Sequence, residues 1–300
     1  MKQLSYSAAE IDERLGRVDK LSNPNLLINP FFQINQRGQS SYSGTGYGFD
    51  GWRGTRPTSV IKINADGSVT VSGAIKEDGI LQKLESAYAG QTLTASVEVT
   101  SITGTGQLYV RNATTWATFG STSLENSGLH VLTVTIPPDN TDPIAIYIDF
   151  SPSATEANSM TIAPPIKIEK GEISTQKSDA LPAPNFGLEE CRRYLVALRE
   201  ITTGSNACHA FGAAISSTEI RLTVPLSRPM RIQPTLIVND LSKWTIRHGS
   251  VSLPITNLEL LRSSSNYLLL RATTSGATAG YACYLQNADP SALILLSAEL

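Results

Sequence analysis

The sequence predicts a mainly β protein, in which a short N-terminal coiled-coil helix leads into two antiparallel β-sandwich or jelly-roll domains. Three observations carry this. Beyond residue 24, short runs alternate apolar and polar residues with the period of a strand. Clusters of Gly, Pro, Asn and Asp separate those runs as turns would. At 300 residues the chain is long enough for roughly two domains, and its composition shifts part-way, since residues 178–300 hold nine Arg but one Lys, Lys243. The expected boundaries are an attachment helix over 1–24, a first β domain over 25–177, a Pro/Ala-rich linker over 178–187 and a distal β domain over 188–300.

The helix rests on a seam. Leu4, Ala8, Ile11, Leu15, Val18 and Ser22 follow at alternating steps of four and three, the a/d spacing of a coiled coil. Ser7 and Glu10 read as a capping box. Asn23 before Pro24 ends the helix, because a residue preceding proline avoids the α region. A helix this short is marginal alone in water, so its stripe needs partners. These are either its own domain or identical helices in a short parallel bundle.

In the first β domain, residues 60–63 and 68–71 flank a turn with Asp66 and Gly67. Residues 92–99, 107–111, 131–136 and 144–150 alternate, the last placing Ile144, Ile146, Ile148 and Phe150 on one face. Residues 161–168 close the set, with Pro164 and Pro165 tolerable only at an edge or a bulge. Helix has room only at 81–87. After the linker, a helix over 188–200 aligns Cys191, Tyr194, Leu195 and Leu198. Strands follow over 213–216, 220–224, 235–238, 250–253, 258–262, 267–273, 282–285 and 294–298.

Charged residues make up 17% of the chain, against about 25% in ordinary soluble domains, while 33 Ser and 29 Thr supply polar surface. A net charge of −2 with no basic stretch argues against nucleic acid and against a polybasic membrane contact. No apolar run approaches the roughly 20 residues of a spanning helix, so no membrane insertion is expected. The first residues lack the apolar core of a secretory signal. Cys191, Cys208 and Cys283 are too scattered for a disulfide framework, as expected of a chain made in a reducing cytoplasm. His130, His209 and His248 lie far apart, and neither a metal site nor a cofactor is expected.

Residues 25–38, which include Asn25, Pro30, Phe31, Phe32, Arg37 and Gly38, are followed by Gly51 and Trp52. Together they resemble the opening of jelly-roll modules in bacteriophage tail fibres and prophage-encoded tail proteins. Residues 166–171 resemble the last strand of those modules, and residues 189–194 are similar to the helix that follows it. Residues 225–235, with Met230, Arg231, Pro234 and Thr235, resemble a recurrent Met-Arg-x-x-Pro-Thr strand of the distal domain, and residues 297–300 resemble the family's ending. The resemblance covers most of the chain beyond residue 24. It implies a homotrimeric virion protein, made in the bacterial host cytoplasm. Its N-terminal helix would attach to other virion proteins, and its β domains would contact a host cell-surface polysaccharide. Two other roles stay open. One is a structural virion protein, such as a head fibre, decoration or baseplate component, and the other is a polysaccharide-degrading tailspike.

Aromatic rings stack on the C–H faces of sugars, and Asp or Arg can fix hydroxyls. Tyr42, Tyr47, Asp50 and Trp52 gather around a glycine-rich stretch in which Gly46, Gly48 and Gly51 match Gly-x-Gly-x-x-Gly. A dinucleotide site would need a strand before that motif and a helix after it, and neither is present. Trp52 also fits an ordinary core position. Tyr109 and Arg111 share a strand face, and Trp116 lies in the polar turn that follows. In the distal domain Trp244 is the aromatic favoured for receptor contact, with Tyr267, Tyr281 and Tyr284 adding surface. Catalysis is not expected. Nothing along the chain pairs Glu85, Glu98, Asp149, Glu156 or Glu169 as a glycosidase requires, and neither Gly-x-Ser-x-Gly nor His-Glu-x-x-His occurs.

The seam has a direct test. Replacing Ile11 and Leu15 together with Asp would bury charge where helices meet, so sedimentation should show loss of the trimer. A trimer that persists in I11D/L15D would mean that the helix is not the assembly element.

Overall fold

Strand-period alternation organises both halves of the computed structural model, which describes residues 22–151, 157–181, 183–200 and 206–300. The predicted seam residues Leu4, Ala8, Ile11, Leu15 and Val18 lie outside the described residues, and Ser22 sits in a non-helical segment. The chain divides into two compact units, one of residues up to 35 with 39–183, the other of residues 36–38 with 184–300.

The first unit is built from β1 (Ser41–Ser43), β2 (Arg53–Gly54), β3 (Val60–Ile63), β4 (Val69–Gly73), β5 (Gly79–Lys83), β6 (Thr92–Thr103), β7 (Gly106–Asn112), β8 (Thr118–Leu124), β9 (Gly128–Thr135), β10 (Ile144–Phe150) and β11 (Asn158–Lys170). They form two antiparallel sheets, a six-stranded one in the order β1-β3-β4-β11-β6-β9 and a five-stranded one in the order β2-β5-β10-β7-β8. One apolar core joins their inner faces. Val69, Val71, Val97 and Ile162 come from the first sheet, and Ile80, Leu108, Ile146 and Phe150 from the second.

Local chemistry explains the connections. Gly67, at φ +83°, closes the β3–β4 turn by donating to the Asn64 carbonyl at 3.0 Å, a backbone shape that glycine adopts without strain. The proline pair sits at a break in register between Ala163 and Lys167, so β11 tolerates it as a bulge in a central strand. The helix expected at 81–87 is instead β5 and its exit. Ile80 and Leu84 face the core while Leu81 pairs with Tyr147, a period of two that the apolar run alone did not reveal.

Beyond the bulge, β11 carries a buried ion network. Lys167 is fully buried, with its ammonium 3.7 Å from Glu169 and in contact with Asp179. It also donates to Ser22 and, at 2.9 Å, to Thr175. Glu169 accepts in turn from the Thr175 backbone at 2.7 Å. The network ties residues 22, 175 and 179 to one strand.

The second unit contains α1 (Pro184–Arg192), β12 (Leu195–Leu198), β13 (Cys208–Ala214), β14 (Glu219–Pro225), β15 (Thr235–Val238), β16 (Trp244–His248), β17 (Val251–Pro254), β18 (Asn257–Ser263), β19 (Tyr267–Thr273), β20 (Ala282–Asn287) and β21 (Ile294–Ser297). A three-stranded sheet, β12-β21-β15, and a seven-stranded sheet, β17-β16-β20-β13-β14-β19-β18, pack about a second core. Two expectations are corrected here. The predicted linker runs into α1, whose first residue, Pro184, suits a helix start. The helix predicted over 188–200 stops at Arg192, and Leu195–Leu198 pairs with β21. Cys191, Tyr194, Leu195 and Leu198 are all buried, but the stripe is shared between a helix end and a strand.

Removing the Lys167 ammonium would leave two carboxylates without their cation. Lys167→Ala should therefore cost about 3–5 kcal/mol in urea unfolding. A loss below about 1 kcal/mol would mean that the network does not hold the unit together.

Candidate functional site

Strand β10 is the centre of the five-stranded sheet, and its pleat sorts its residues. Ile144, Ile146, Ile148 and Phe150 point into the core. Ala145, Tyr147 and Asp149 therefore lie on the outer face. Register extends these positions across the sheet. Arg53, Leu81, Tyr147, Tyr109 and Ser121 form one continuous row over all five strands. Lys83, Ala145, Arg111 and Thr118 form the next. Gly79, Asp149, Gln107 and Ser123 form a third. Small residues beside large ones leave a hollow, a cavity of about 390 Å³ lined by Arg53, Thr55, Arg56, Glu77, Leu81, Arg111, Trp116, Tyr147 and Asp149.

Trp116 closes one side. Asn112 organises its turn, accepting from the backbone of Thr114 and Thr115 at 2.8 Å each. Trp116 itself donates from its backbone to the Asn112 carbonyl at 3.1 Å. It sits at φ +66°, where a bulky side chain is strained, and is 51% exposed. Its ring meets Tyr147 edge-on at 5.7 Å between centroids, and the Lys83 ammonium lies 5.6 Å from its face. Arg111 packs its guanidinium 3.7 Å from the Tyr109 ring centroid and 5.0 Å from that of Tyr147.

The polar atoms of this face are incompletely satisfied. The Tyr147 hydroxyl, Asp149 Oδ1, Arg53 Nε and Arg111 Nε are buried without a hydrogen-bond partner. Each such group costs on the order of 1–3 kcal/mol when left unpaired. Burial pushes the Asp149 carboxyl up to about 7, against the pull of Arg111 and Arg56. Burial likewise raises the phenols of Tyr147 and Tyr109. It also lowers the Lys83 ammonium, as does nearby Arg53 to a smaller extent. Arg56 is in contact with Glu77.

Of the sequence candidates, Tyr109, Arg111 and Trp116 meet on this face, and Tyr47 flanks it beneath the Arg53 guanidinium at 5.6 Å. Four others do not reach it. Trp52 is in the core, stacked on Phe32 at 4.9 Å and donating to the Asn29 carbonyl at 3.1 Å. Asp50 is 1% exposed. Tyr42 packs edge-on against Phe49 at 4.8 Å, and its hydroxyl donates to Asn35 at 2.6 Å. Gly48 lets that ring approach, since a Cβ there would lie 2.6 Å from it. Trp244 is also a core residue, 1% exposed and edge-on to His209 at 5.2 Å, because it shares the inner face of β16 with Ile246. Tyr267 and Tyr281 are exposed on the second unit. A cavity of about 480 Å³ there is lined in part by Arg192 and Arg228. Both are already paired, with Glu189 at 2.8 Å and Glu190 at 2.6 Å.

The residues missed were Arg53, Arg56, Glu77, Lys83, Tyr147 and Asp149. For Tyr147 and Asp149 the signal was present: alternation that sends Ile146 and Ile148 inward sends them to the face of Tyr109 and Arg111.

No protein-family model matches the chain, and no curated protein matches it. Among solved structures, a CBM4 carbohydrate-binding module is similar at 14% identity over 48% of this chain and 99% of its own, with a TM-score of 0.33. A xylan-binding module, CBM15, is similar at 17% identity over 46% of this chain and 100% of its own, with a TM-score of 0.29. The CBM22-1–CBM22-2 tandem of Paenibacillus barcinonensis Xyn10C is similar at 10% identity over 93% of this chain and 98% of its own, with a TM-score of 0.31. These likenesses are slight, and the chemistry of the site stands on the chain's own residues.

Asp149 gives the site a pH signature. Its carboxyl keeps its proton to about 7 when folded but only to the ordinary 3.8 when unfolded, so ionising it opposes folding. The penalty is absent below about pH 4, grows by about 1.4 kcal/mol per pH unit, and levels off above about 7. Asp149→Asn should therefore gain on the wild type by about 2–3 kcal/mol more at pH 8 than at pH 5 in urea unfolding. An equal difference at both pH values would mean that Asp149 is not held protonated.

Proposed function

We propose that the protein is a non-catalytic glycan-binding protein that receives sugar rings on the outer face of its five-stranded sheet. The observation that carries this reading is Trp116, held half-exposed at positive φ beside a cavity lined by four residues that each bury a polar atom without a partner. Backbone strain of this kind clusters at ligand sites. The exposed ring of Trp116 suits the C–H face of a pyranose. The buried phenol, carboxyl and guanidinium nitrogens suit its hydroxyls. The cavity falls in the ~300–1,000 Å³ range of small-ligand sites.

The finer proposal is that this binding serves attachment of a virion to a host-surface polysaccharide by a trimeric tail fibre. The tail-fibre resemblance of residues 25–38, 166–171 and 225–235 supports that role. Repetition of a weak sugar site about one axis would supply avidity.

One observation favours a tailspike as a second reading. Glu77 and Asp149 line the same cavity, and a carboxyl pushed up to about 7 suits a general acid. Against it, Glu77 is engaged by Arg56. Incubation with a bound polysaccharide should release no reducing ends. Release that Asp149→Asn abolishes would establish the enzyme.

A glycan array probed with the full chain tests the main reading. Binding is expected, with Trp116→Ala weakening it at least about tenfold and Tyr281→Ala, on the second unit, leaving it within about twofold. Absence of binding, or binding indifferent to Trp116, would overturn it.

A further inference from the structure

The charge of the cavity narrows the ligand. Arg53, Arg56 and Arg111 line it together with Glu77 and Asp149. Arg56 is matched by Glu77. Arg53 and Arg111 enter no ion pair among the described residues, whereas elsewhere Arg192 meets Glu189, Arg228 meets Glu190 and Arg271 meets Glu259. Each of the two unmatched guanidiniums rests on a tyrosine ring, Arg53 over Tyr47 and Arg111 over Tyr109. Stacking of that kind holds the guanidinium plane, which suits a planar acceptor. Their Nε atoms are buried without partners.

We propose that the sugar bound on this face is acidic, with a ring carboxylate lying against Arg53 and Arg111. This rests on the glycan reading and names its ligand class. A carboxylate accepts two parallel N–H donors from a guanidinium, and such pairs are roughly twice as strong as neutral hydrogen bonds. Two further observations are consistent. Asp149, the remaining acid, is a single carboxyl that burial pushes up to about 7, so it cannot cancel both cations. Lys83 sits over Trp116 and adds positive potential on the same side.

Calorimetric titration of the full chain tests the assignment, using oligogalacturonate, oligomers of N-acetylneuraminic acid and the carboxyl-reduced form of each, with a sulfated galactan alongside. At least one acid should bind about tenfold or more tightly than its reduced form, and added salt should weaken only the acid. Arg53→Gln and Arg111→Gln should each remove most of that preference, weakening the acid by a clearly larger factor than its reduced form. Two separate variants guard against a folding defect in either, and retained binding of the reduced form that still depends on Trp116 reports an intact face.

Equal binding of acid and reduced forms, still dependent on Trp116, would overturn the charge assignment and leave the glycan reading standing. Preference for the sulfated galactan over every carboxylate would overturn the carboxylate. A preference for acid that survives in both variants would place the anion elsewhere. Absence of binding by all five probes would overturn the assignment, and the array separately decides the glycan reading.

Discussion

The pleat of strand β10 is the constraint on which the first unit depends. Its inner row, Ile144, Ile146, Ile148 and Phe150, is fully buried and joins the core to the central strand of the sheet. Shifting β10 by one residue would drive Tyr147 and Asp149 into that core and expose the isoleucines, so burial pins the register. The same geometry that secures the sandwich places Tyr147 and Asp149 on the opposite face. There, pairing with β5 and β7 brings them to Leu81 and Tyr109. Stability and site are two faces of one alternation.

Two groups of charges in this unit behave differently. On β11, Lys167 meets Glu169, Asp179, Ser22 and Thr175, so burial is compensated within the chain. On the β10 face, buried atoms of Arg53, Arg111, Tyr147 and Asp149 lack such partners. A closed network fits a structural role. An open one, beside a strained and half-exposed tryptophan, fits a face that waits for polar groups from a ligand.

Much of the fold was legible because strands leave a local period. The stretch 144–150 alternates strictly, and Asp66 with Gly67 announces its turn through backbone preference alone. Trp116 stood out as an aromatic in a polar turn, and Tyr109 and Arg111 shared a parity. The assembled site was less legible. Arg53, Glu77, Arg111 and Asp149 come from separate segments, joined by a strand order, β2-β5-β10-β7-β8, that no local pattern encodes. Trp52 and Trp244 misled because tryptophan serves cores as readily as ligand platforms. Residues 188–200 misled because a helix end followed by a strand can bury the same four side chains as one continuous helix.

A crystal structure of the chain with its array-selected oligosaccharide tests the central claim most directly. A sugar ring is expected against Trp116, with ligand oxygens in hydrogen-bond reach of the Tyr147 hydroxyl and Asp149 Oδ1. A sugar seated on the second unit, with the β10 face left untouched, would contradict it.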